Sequence, residues 1–268
     1  KALGRGAWRF FHETMTHAAR ERLELEARLR LALAQGHLQM HYQPQVEIAT
    51  GRVLGAEALM RWNDPEDGPI SPARFIPVAE TSGVIGPLGE WAMREVCRQG
   101  QRWREAGLPD VTLAVNVSPR QFHLTDLAGC ASTALADSGF PARLLELEIT
   151  ESALAERTDE ARQVLVRLRE LGVRIAVDDF GTGYSSLAQI KRFPIDVLKI
   201  DQGFIRDIPK SEDDMAISAA IIAMGHSMGM SVLAEGVETE GQLAFLQGRG
   251  CDTYQGYLCS RPLPADGF

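Results

Sequence analysis

The stretch RIAVDDFGTGYSSL, Arg174 to Leu187, joins a short apolar segment to a polar loop that contains two glycines. Apolar Ile175 and Val177 alternate within the first residues, a pattern that predicts a β-strand entering a protein interior. Asp178 and Asp179 stand side by side where this strand ends. Two adjacent, partly buried carboxylates repel each other and are unfavourable unless positive charge compensates them. We therefore expect a cation at the end of this strand.

Short apolar strands of the same kind recur along the chain, and helical patterns separate them. The predicted strands are VTLAVNVS (111–118), LLELEIT (144–150), RIAVDD (174–179), DVLKID (196–201), SVLAE (231–235) and TYQGY (253–257). A repeated β-α order predicts parallel strands covered by helices.

Two further strand-like runs lie upstream, within residues 38–62, and a short connection at Thr50-Gly51 joins them. So short a connection makes the two strands antiparallel. Together with the six later strands they number eight, which is the number that closes a barrel filled by side chains. The sequence thus predicts an α/β fold, a TIM-like (β/α)8 barrel whose first strand is antiparallel, over residues 37–268.

The residues before the barrel divide into two parts. Residues 13–36 are rich in Ala, Leu, Glu and Arg and end at Gly36, which predicts one long amphipathic helix that connects an upstream domain to the barrel and packs on it. Residues 1–12 are the other part, and because the chain begins at Lys1 and not at a methionine, we expect it to be a piece of a longer protein.

Composition excludes several classes of partner. The 268 residues include 28 basic and 36 acidic side chains, for a net charge of −8, so no duplex nucleic acid is expected as a ligand. No apolar run approaches the roughly 20 residues of a membrane span, and we expect no membrane contact from this segment. The four cysteines form no CxxC pair, which indicates reduced thiols and a cytoplasmic location.

Polar side chains stand at the carboxyl ends of nearly all the predicted strands, where barrel enzymes place their chemistry. They are Glu57, Asn116, Glu148, Asp178, Asp179, Lys199, Asp201, Glu235 and Gln255. Any one of these residues is explained equally well as a helix cap or a solvated turn. Neither explanation accounts for polar residues at the ends of seven strands. A closed barrel brings all these strand ends together in one small region.

This set favours a hard divalent cation. Carboxylate and amide oxygens suit Mg²⁺ or Mn²⁺ better than zinc, and none of the six histidines stands at a strand end. The paired aspartates can serve two ions about 3.5–4 Å apart, an arrangement used for phosphoryl displacement. Asp178 would bridge the two ions and Asp179 would hold the second.

Several of these segments resemble the signature motifs of EAL-domain cyclic di-GMP phosphodiesterases. The motifs are GAEALMRW (55–62), VNVSPRQF (115–122), LELEITES (145–152), DDFGTGYSSL (178–187), VLKID (197–201), LAEGVET (233–239) and TYQGY (253–257). They run from about Leu38 to the carboxyl terminus in the family's order. Near the amino terminus, GRGAWRFF (4–11) resembles the last strand of a GGDEF domain. This resemblance implies that residues 1–12 are the remnant of an upstream GGDEF-like domain and that residues 13–36 are a GGDEF–EAL connector.

The resemblance implies a reaction, its cofactors and its catalytic residues. Cyclic di-GMP would be opened by water to linear pGpG with the help of two ions of Mg²⁺ or Mn²⁺. The ligands implied are Glu57, Asn116, Glu148, Asp178, Asp179, Glu235 and Gln255. Lys199 would position the attacking water, and Glu235 is an equal candidate for that task. Glu57 and Asp178 count as catalytic through the metals.

The resemblance also assigns contacts outside the ligand set. Arg61 would hold a phosphate, with an ion pair to Asp64 or Glu66 as the alternative interpretation. The remaining substrate contacts implied are Gln43, Leu59, Asp201 and Glu238. Glu151 would anchor the loop after the paired aspartates, although it is also placed to cap the following helix. A homodimer and an upstream regulatory domain in the same chain are the implied partners.

Two other functions remain open at the level of sequence. A non-hydrolytic or weakly active cyclic di-GMP receptor belongs to the same family and predicts missing metal ligands, and every ligand position here is intact. An enolase-type barrel also places lysine and carboxylates at strand ends. It requires a separate capping domain, and the roughly 36 residues before the barrel are too few for one.

Overall fold

The computed structural model describes residues 13–155, 158–181 and 190–268. Its helices are α1 (Glu13–Gln35), α2 (Pro72–Ser82), α3 (Ile85–Glu105), α4 (Pro119–Leu124), α5 (Leu127–Ser138), α6 (Glu151–Ala155), α7 (Thr158–Glu170), α8 (Glu212–Ser227) and α9 (Glu240–Gly248). Its strands are β1 (Leu38–Glu47), β2 (Val53–Asp64), β3 (Gly68–Ile70), β4 (Thr112–Val117), β5 (Leu145–Thr150), β6 (Arg174–Phe180), β7 (Val197–Ile200), β8 (Ser231–Ala234), β9 (Thr253–Tyr254) and β10 (Leu263–Pro264).

Eight of these strands close a barrel, as the sequence predicts. Strands β2, β4, β5, β6, β7, β8 and β9 follow one another in parallel, and β1 pairs antiparallel with both β2 and β9. The reversal of β1 follows from its tight connection to β2, where Gly51 adopts the positive φ of 71° that glycine tolerates. The two short strands β3 and β10 extend the sheet at β2 and β1.

Helix α2 is one of the helices that were not anticipated from sequence. Helix α2 begins at Pro72 and contains Pro77, and a proline inside a segment argues against a helix. Here Pro77 lies in the second turn, and the helix is held by burying Phe75 and Ala79 against the barrel. Tertiary burial therefore outweighs the local signal.

The predicted helix over residues 13–36 is present as α1, and it packs on the barrel. Leu25 and Leu29 are buried in a cluster that includes Trp62 of β2 and Phe75 of α2. Polar contacts hold the same helix: the Arg28 guanidinium bonds Asp64, the last residue of β2, and Asp67 in the turn after it. Helix α1 is thus attached to the strand that carries the EAL tripeptide.

Two sequence expectations fall outside what can be described. The proposed domain remnant, residues 1–12, and residues 182–189 of the loop after the paired aspartates lie outside the described residues. Within the described ranges, no helix has both the length and the apolar character required to cross a bilayer.

The packing of α1 can be tested with two leucines on the same helix. Leu29 is fully buried, so we expect Leu29→Ala to lower the free energy of unfolding by about 2–5 kcal/mol. Leu31 is 56% exposed, and Leu31→Ala should change that free energy by less than about 0.5 kcal/mol. Urea denaturation measures both. Equal, small effects of the two substitutions would show that α1 is not part of the folded core.

Candidate functional site

The predicted site residues converge at the carboxyl ends of the barrel strands. Alternation along each strand turns every second side chain inward, so residues at equal height on neighbouring strands meet at the barrel axis. The residues placed there are Glu57 on β2, Asn116 on β4, Glu148 on β5, Asp178 and Asp179 on β6, Lys199 on β7, and Glu235 and Gln255 directly after β8 and β9. The structure brings these side chains together at one end of the barrel, and their roles stay a prediction.

Lys199 occupies the centre of this cluster and is fully buried. Its Nζ lies 2.7 Å from Glu148 Oε2, 2.6 Å from Glu235 Oε1 and 3.2 Å from Asp178 Oδ1. Burial alone would lower the pKa of the lysine, but the surrounding carboxylates outweigh it and raise that pKa well above its usual value. Lys199 is therefore a permanent cation that compensates the charge of its neighbours.

Glu57 is held from two sides by amide groups. Asn116 donates from Nδ2 to Glu57 Oε1, and Gln255 donates from Nε2 to Glu57 Oε2. The same Gln255 nitrogen lies 3.0 Å from Gln43 Oε1, and Gln43 in turn donates to the carbonyl of Ser260 over 3.1 Å. Rotation of either amide group about its last bond would present its oxygen in place of its nitrogen.

Asp178, Asp179 and Glu235 form the most concentrated group of carboxylates. One oxygen from each lies within 4.8 Å of the others. Burial, opposed by Lys199, raises the pKa of Glu235 to about 8. Burial and then the neighbouring Asp178 and Asp201 raise the pKa of Asp179 as well. Metal-free protein thus concentrates unfavourable negative charge here.

The backbone at Asp179 has a conformation that is rare outside glycine. Its φ is +54°, in the left-handed region, where aspartate is among the few side chains tolerated. The Asp179 N–H donates to Asp178 Oδ1 over 3.0 Å, which holds the Asp178 carboxylate against the backbone of Asp179. This turn directs both side chains toward the barrel axis.

Glu151 contacts the start of the loop that follows. The side chain is 3% exposed, and its Oε2 accepts the Gly181 N–H over 3.1 Å. Gly181 has a φ of +97°, and a Cβ there would lie 2.9 Å from the Phe204 ring. Both features make Gly181 specific to this turn, and the contact agrees with the predicted anchoring by Glu151.

A polar cavity of about 270 Å³ lies above the carboxylate cluster. Of the predicted substrate contacts, Gln43, Leu59 and Glu238 line it. Asp201 does not. Its side chain accepts the Gly203 N–H over 2.9 Å and caps the short helix Gln202–Phe204, which leaves its neighbour Gln202 on the cavity wall.

Arg61 lines an adjoining apolar cavity of about 340 Å³, together with Leu59 and Asn116. Its Nη1 donates to the carbonyl of Met60 over 2.9 Å, and partial burial lowers its pKa from a very high ordinary value. The alternative ion pair of Arg61 is not formed among the described residues, since Asp64 bonds Arg28 instead. The guanidinium thus stays close to the cluster.

Tyr257 is a cavity residue that was not singled out from sequence. It is 49% exposed, and the Arg261 guanidinium lies 4.1 Å from the centre of its ring. The signal was available, because Tyr257 stands two residues after the strand-end Gln255. Gly256 between them is required, since a Cβ would lie 2.0 Å from the Val237 carbonyl oxygen.

Comparison with known proteins places this architecture in one family. Residues 26–262 match the EAL domain. The chain is 48% identical over 246 residues to the uncharacterized protein y4lL of Sinorhizobium fredii, covering 92% of this chain and 29% of that protein. It is 46% identical over 264 residues to the cyclic di-GMP phosphodiesterase NbdA of Pseudomonas aeruginosa, covering 98% of this chain and 34% of that protein. The chain thus spans about a third of the curated relatives it matches.

A solved structure agrees in both fold and sequence. The phosphodiesterase PaMucR, determined in complex with c-di-GMP, superposes with a TM-score of 0.88 at 43% identity, covering 91% of this chain and 99% of that one. On the motifs, the fold and these relatives together, the chain belongs to the EAL domain family.

Proposed function

We propose that this domain hydrolyses one phosphodiester bond of cyclic di-GMP to give linear pGpG, with Mg²⁺ or Mn²⁺ as cofactor. The observation that carries the proposal is the group of three carboxylates around Lys199, from Glu148, Asp178 and Glu235, which lies directly below a polar cavity. Relatives support the choice of substrate, since NbdA is named a cyclic di-GMP phosphodiesterase and PaMucR was determined with c-di-GMP.

The donor set fits divalent cations. Within the described part of the chain, Glu148 Oε1 and Gln255 Oε1 are buried oxygens that accept no hydrogen bond. Buried acceptors of this kind are unfavourable unless a ligand or ion satisfies them. The residues that would hold the ions are Glu57, Asn116, Glu148, Asp178, Asp179, Glu235 and Gln255. Bound ions of this type increase the acidity of water and neutralise phosphate charge.

The protein's own groups divide the remaining work between Lys199 and Glu235. Lys199 is paired as a cation with Glu148, Asp178 and Glu235, so its ammonium is placed to stabilise the negative charge that develops on the phosphate. Glu235 lines the polar cavity, and its carboxylate lies 2.6 Å from Lys199 Nζ, so it is placed to accept a proton from a water molecule bound there. Of the two candidates that the sequence leaves open, we propose Glu235 as the proton acceptor, because Lys199 is already paired as a cation with Glu148 and Glu235.

The reaction then balances as a simple hydrolysis. The oxygen of water forms a bond to phosphorus, Glu235 takes the proton of that water, and the bond from phosphorus to the 3′ oxygen breaks. The released 3′ oxygen takes up a proton and leaves a 5′-phosphate on the linear product. Arg61, with its planar guanidinium, would bind a phosphate, and Gln43, Leu59 and Glu238 would contact the rest of the nucleotide.

The remaining expectations are also proposals. Asp201 does not contact the substrate directly in this proposal. It caps the short helix Gln202–Phe204 and so positions Gln202 on the wall of the cavity. Homodimer formation, control by an upstream domain and a cytoplasmic location are retained as predictions. A non-hydrolytic receptor is the competing function, and it would bind cyclic di-GMP without producing pGpG.

The first test of this function is turnover by the isolated domain. With Mg²⁺ or Mn²⁺ we expect chromatography to show cyclic di-GMP converted to pGpG, and EDTA should abolish conversion. Ca²⁺ should not restore it, since it prefers more ligands and longer bonds. Glu57→Ala and Asp178→Asn should each lower turnover at least about 100-fold. Binding of cyclic di-GMP without any pGpG under these conditions would establish the receptor instead.

The raised pKa of Glu235 predicts how the stability of metal-free protein depends on pH. Its ordinary pKa is 4.5 and its value in the fold is about 8, so folded protein keeps a proton that unfolded protein releases in between. Stability, measured as Tm in EDTA, should therefore fall as the pH rises from about 5 to about 8. Saturating Mg²⁺ should reduce that fall because it binds the folded state.

The matched control for this pH effect is Glu235→Gln, which has nearly the same shape and no titrating group. We expect its Tm in EDTA to fall less over the same pH range. A fall as steep as that of the unmodified protein would show that Glu235 is not the group responsible.

Glu151 tests whether the loop after Asp179 is held by the observed bond to Gly181. Glu151→Ala removes the acceptor, and a displacement of the loop by about 1 Å can lower kcat about 100-fold. Glu151→Gln keeps an acceptor oxygen and should restore a large part of the activity. Turnover, Tm and sedimentation measure activity, stability and self-association together. Normal turnover with a stability loss of about 1 kcal/mol would identify a helix cap and nothing more.

A further inference from the structure

A second cavity lies at the opposite end of the barrel axis from the carboxylate cluster. Its volume is about 330 Å³, comparable to the 270 Å³ of the cavity above the cluster. Residues from all eight barrel strands line it, at the end where the parallel strands begin and the reversed β1 finishes. This cavity, which we term the lower cavity, is therefore built by the fold itself and not by a single loop.

The composition of the barrel interior explains why the lower cavity exists. Barrel interiors are ordinarily filled at each level by bulky branched side chains. At this level β2 supplies Gly55, where a Cβ would lie 2.8 Å from both Gln45 Oε1 and the Thr112 carbonyl oxygen. Strands β4, β5 and β6 supply Thr112, Glu146 and Arg174. Small and polar residues thus replace the usual apolar filling.

An apolar layer separates this cavity from the cluster at the other end. Ala176, Val197 and Leu233 are buried together as a small cluster of their own. On their strands they precede Asp178, Lys199 and Glu235 by two residues, so they face the axis one level lower. The two polar cavities are therefore chemically distinct sites.

The lower cavity contains both hydrogen-bond donors and hydrogen-bond acceptors. Gln45 is 5% exposed, and its Nε2 is a buried donor with no hydrogen-bond partner in the described ranges of the chain. Glu146 is 3% exposed, and its Oε2 accepts a bond of 3.1 Å from Arg174 Nε. The carboxylates of Glu47 and Asp252 complete the lining at the rim. A buried amide without a partner is unfavourable, which marks this position as one that a ligand would satisfy.

These groups select a particular chemistry. Three carboxylates and one guanidinium line the cavity, and the two rim carboxylates also have basic neighbours, since Arg52 lies 3.4 Å from Glu47 and His226 lies 2.8 Å from Asp252. The wall therefore presents both signs of charge, and a simple anion meets the Glu146 carboxylate beside the Arg174 guanidinium. A simple amine would pair with a carboxylate but would leave the Gln45 donor unsatisfied. A molecule with both an ammonium and an oxygen acceptor satisfies both ends at once, and a cavity of this volume accommodates a single amino acid.

We propose that the lower cavity is a second binding site of this domain, for a small zwitterion of the free amino acid class. The ligand's ammonium faces Glu146 and the rim carboxylates, and its carboxylate faces Gln45 Nε2 and the Arg174 guanidinium. The site is independent of the hydrolytic site, so it does not rest on the proposed reaction.

The test is a titration of the 268-residue chain with each of the common L-amino acids, followed by ¹H–¹⁵N NMR and by Tm. EDTA is present so that coordination of a cation at the other end of the barrel does not contribute. At least one amino acid should give saturable shifts at the Gln45 side-chain amide and at Thr112 and Glu146. Ethylamine and acetate, which carry only one of the two charges, should bind at least tenfold more weakly.

Two variants and one control assign the binding to the lower cavity. Gln45→Leu keeps the volume but removes the donor, and Glu146→Gln removes the charge but keeps an acceptor for Arg174. Each should weaken binding at least tenfold. Gln39→Leu, the same substitution at an exposed position of β1, should leave the affinity unchanged.

Stability gives a second readout that does not depend on finding the right amino acid. Gln45→Leu should raise Tm without ligand, because it replaces a buried amide that lacks a partner. The proposal is overturned if no amino acid gives saturable shifts at the lower cavity. It is equally overturned if Gln45→Leu and Glu146→Gln both bind as tightly as the unmodified chain.

Discussion

The contact on which the site depends is the buried ammonium of Lys199 among Glu148, Asp178 and Glu235. Without that positive charge, three carboxylates within a few ångströms of one another would oppose closure of the barrel. The lysine allows the apo protein to fold with its acidic groups already gathered. The lysine does not compensate the carboxylates fully, because burial still raises the pKa of Glu235. A bound divalent cation would stabilise the charged form of this carboxylate. The Lys199 ammonium thus stabilises the metal-free fold and also keeps the carboxylates close enough together to bind a cation.

Much of the fold could be predicted because patterns among residues close in sequence determine its helices, strands and turns. Alternating apolar strands, helical spacing and the tight turn at Gly51 specify the order of elements and the reversed first strand. The strand-end rule then places distant residues such as Glu57 and Asp178 together without any knowledge of contacts. Helix α2 was missed because Pro77 is a local signal against a helix, and only its burial against the barrel overrides that signal.

The details of the site were harder to foresee, because they depend on side-chain rotation and on neighbours far apart in sequence. Nothing local indicates that Gln255 bonds both Glu57 and Gln43, or that Gln202 and not Asp201 reaches the cavity. The carboxylate ring could be predicted as a set of ligands. That Lys199 on β7 contacts Glu148 on β5 follows only from the closed barrel, where β6 lies between these two strands and both side chains point to the axis.

The reversal of β1 also determines by which end the chain enters the barrel. In a barrel of eight parallel strands the first strand begins at the end remote from the catalytic residues. Here β1 begins beside the last residues of β2, with Leu38 opposite Trp62. The chain therefore enters the barrel at the end that holds the carboxylate cluster. Helix α1 is fastened at that same place through Arg28 and Asp64. A displacement along α1 therefore reaches the barrel at the end that holds the carboxylate cluster and does not have to cross the height of the barrel.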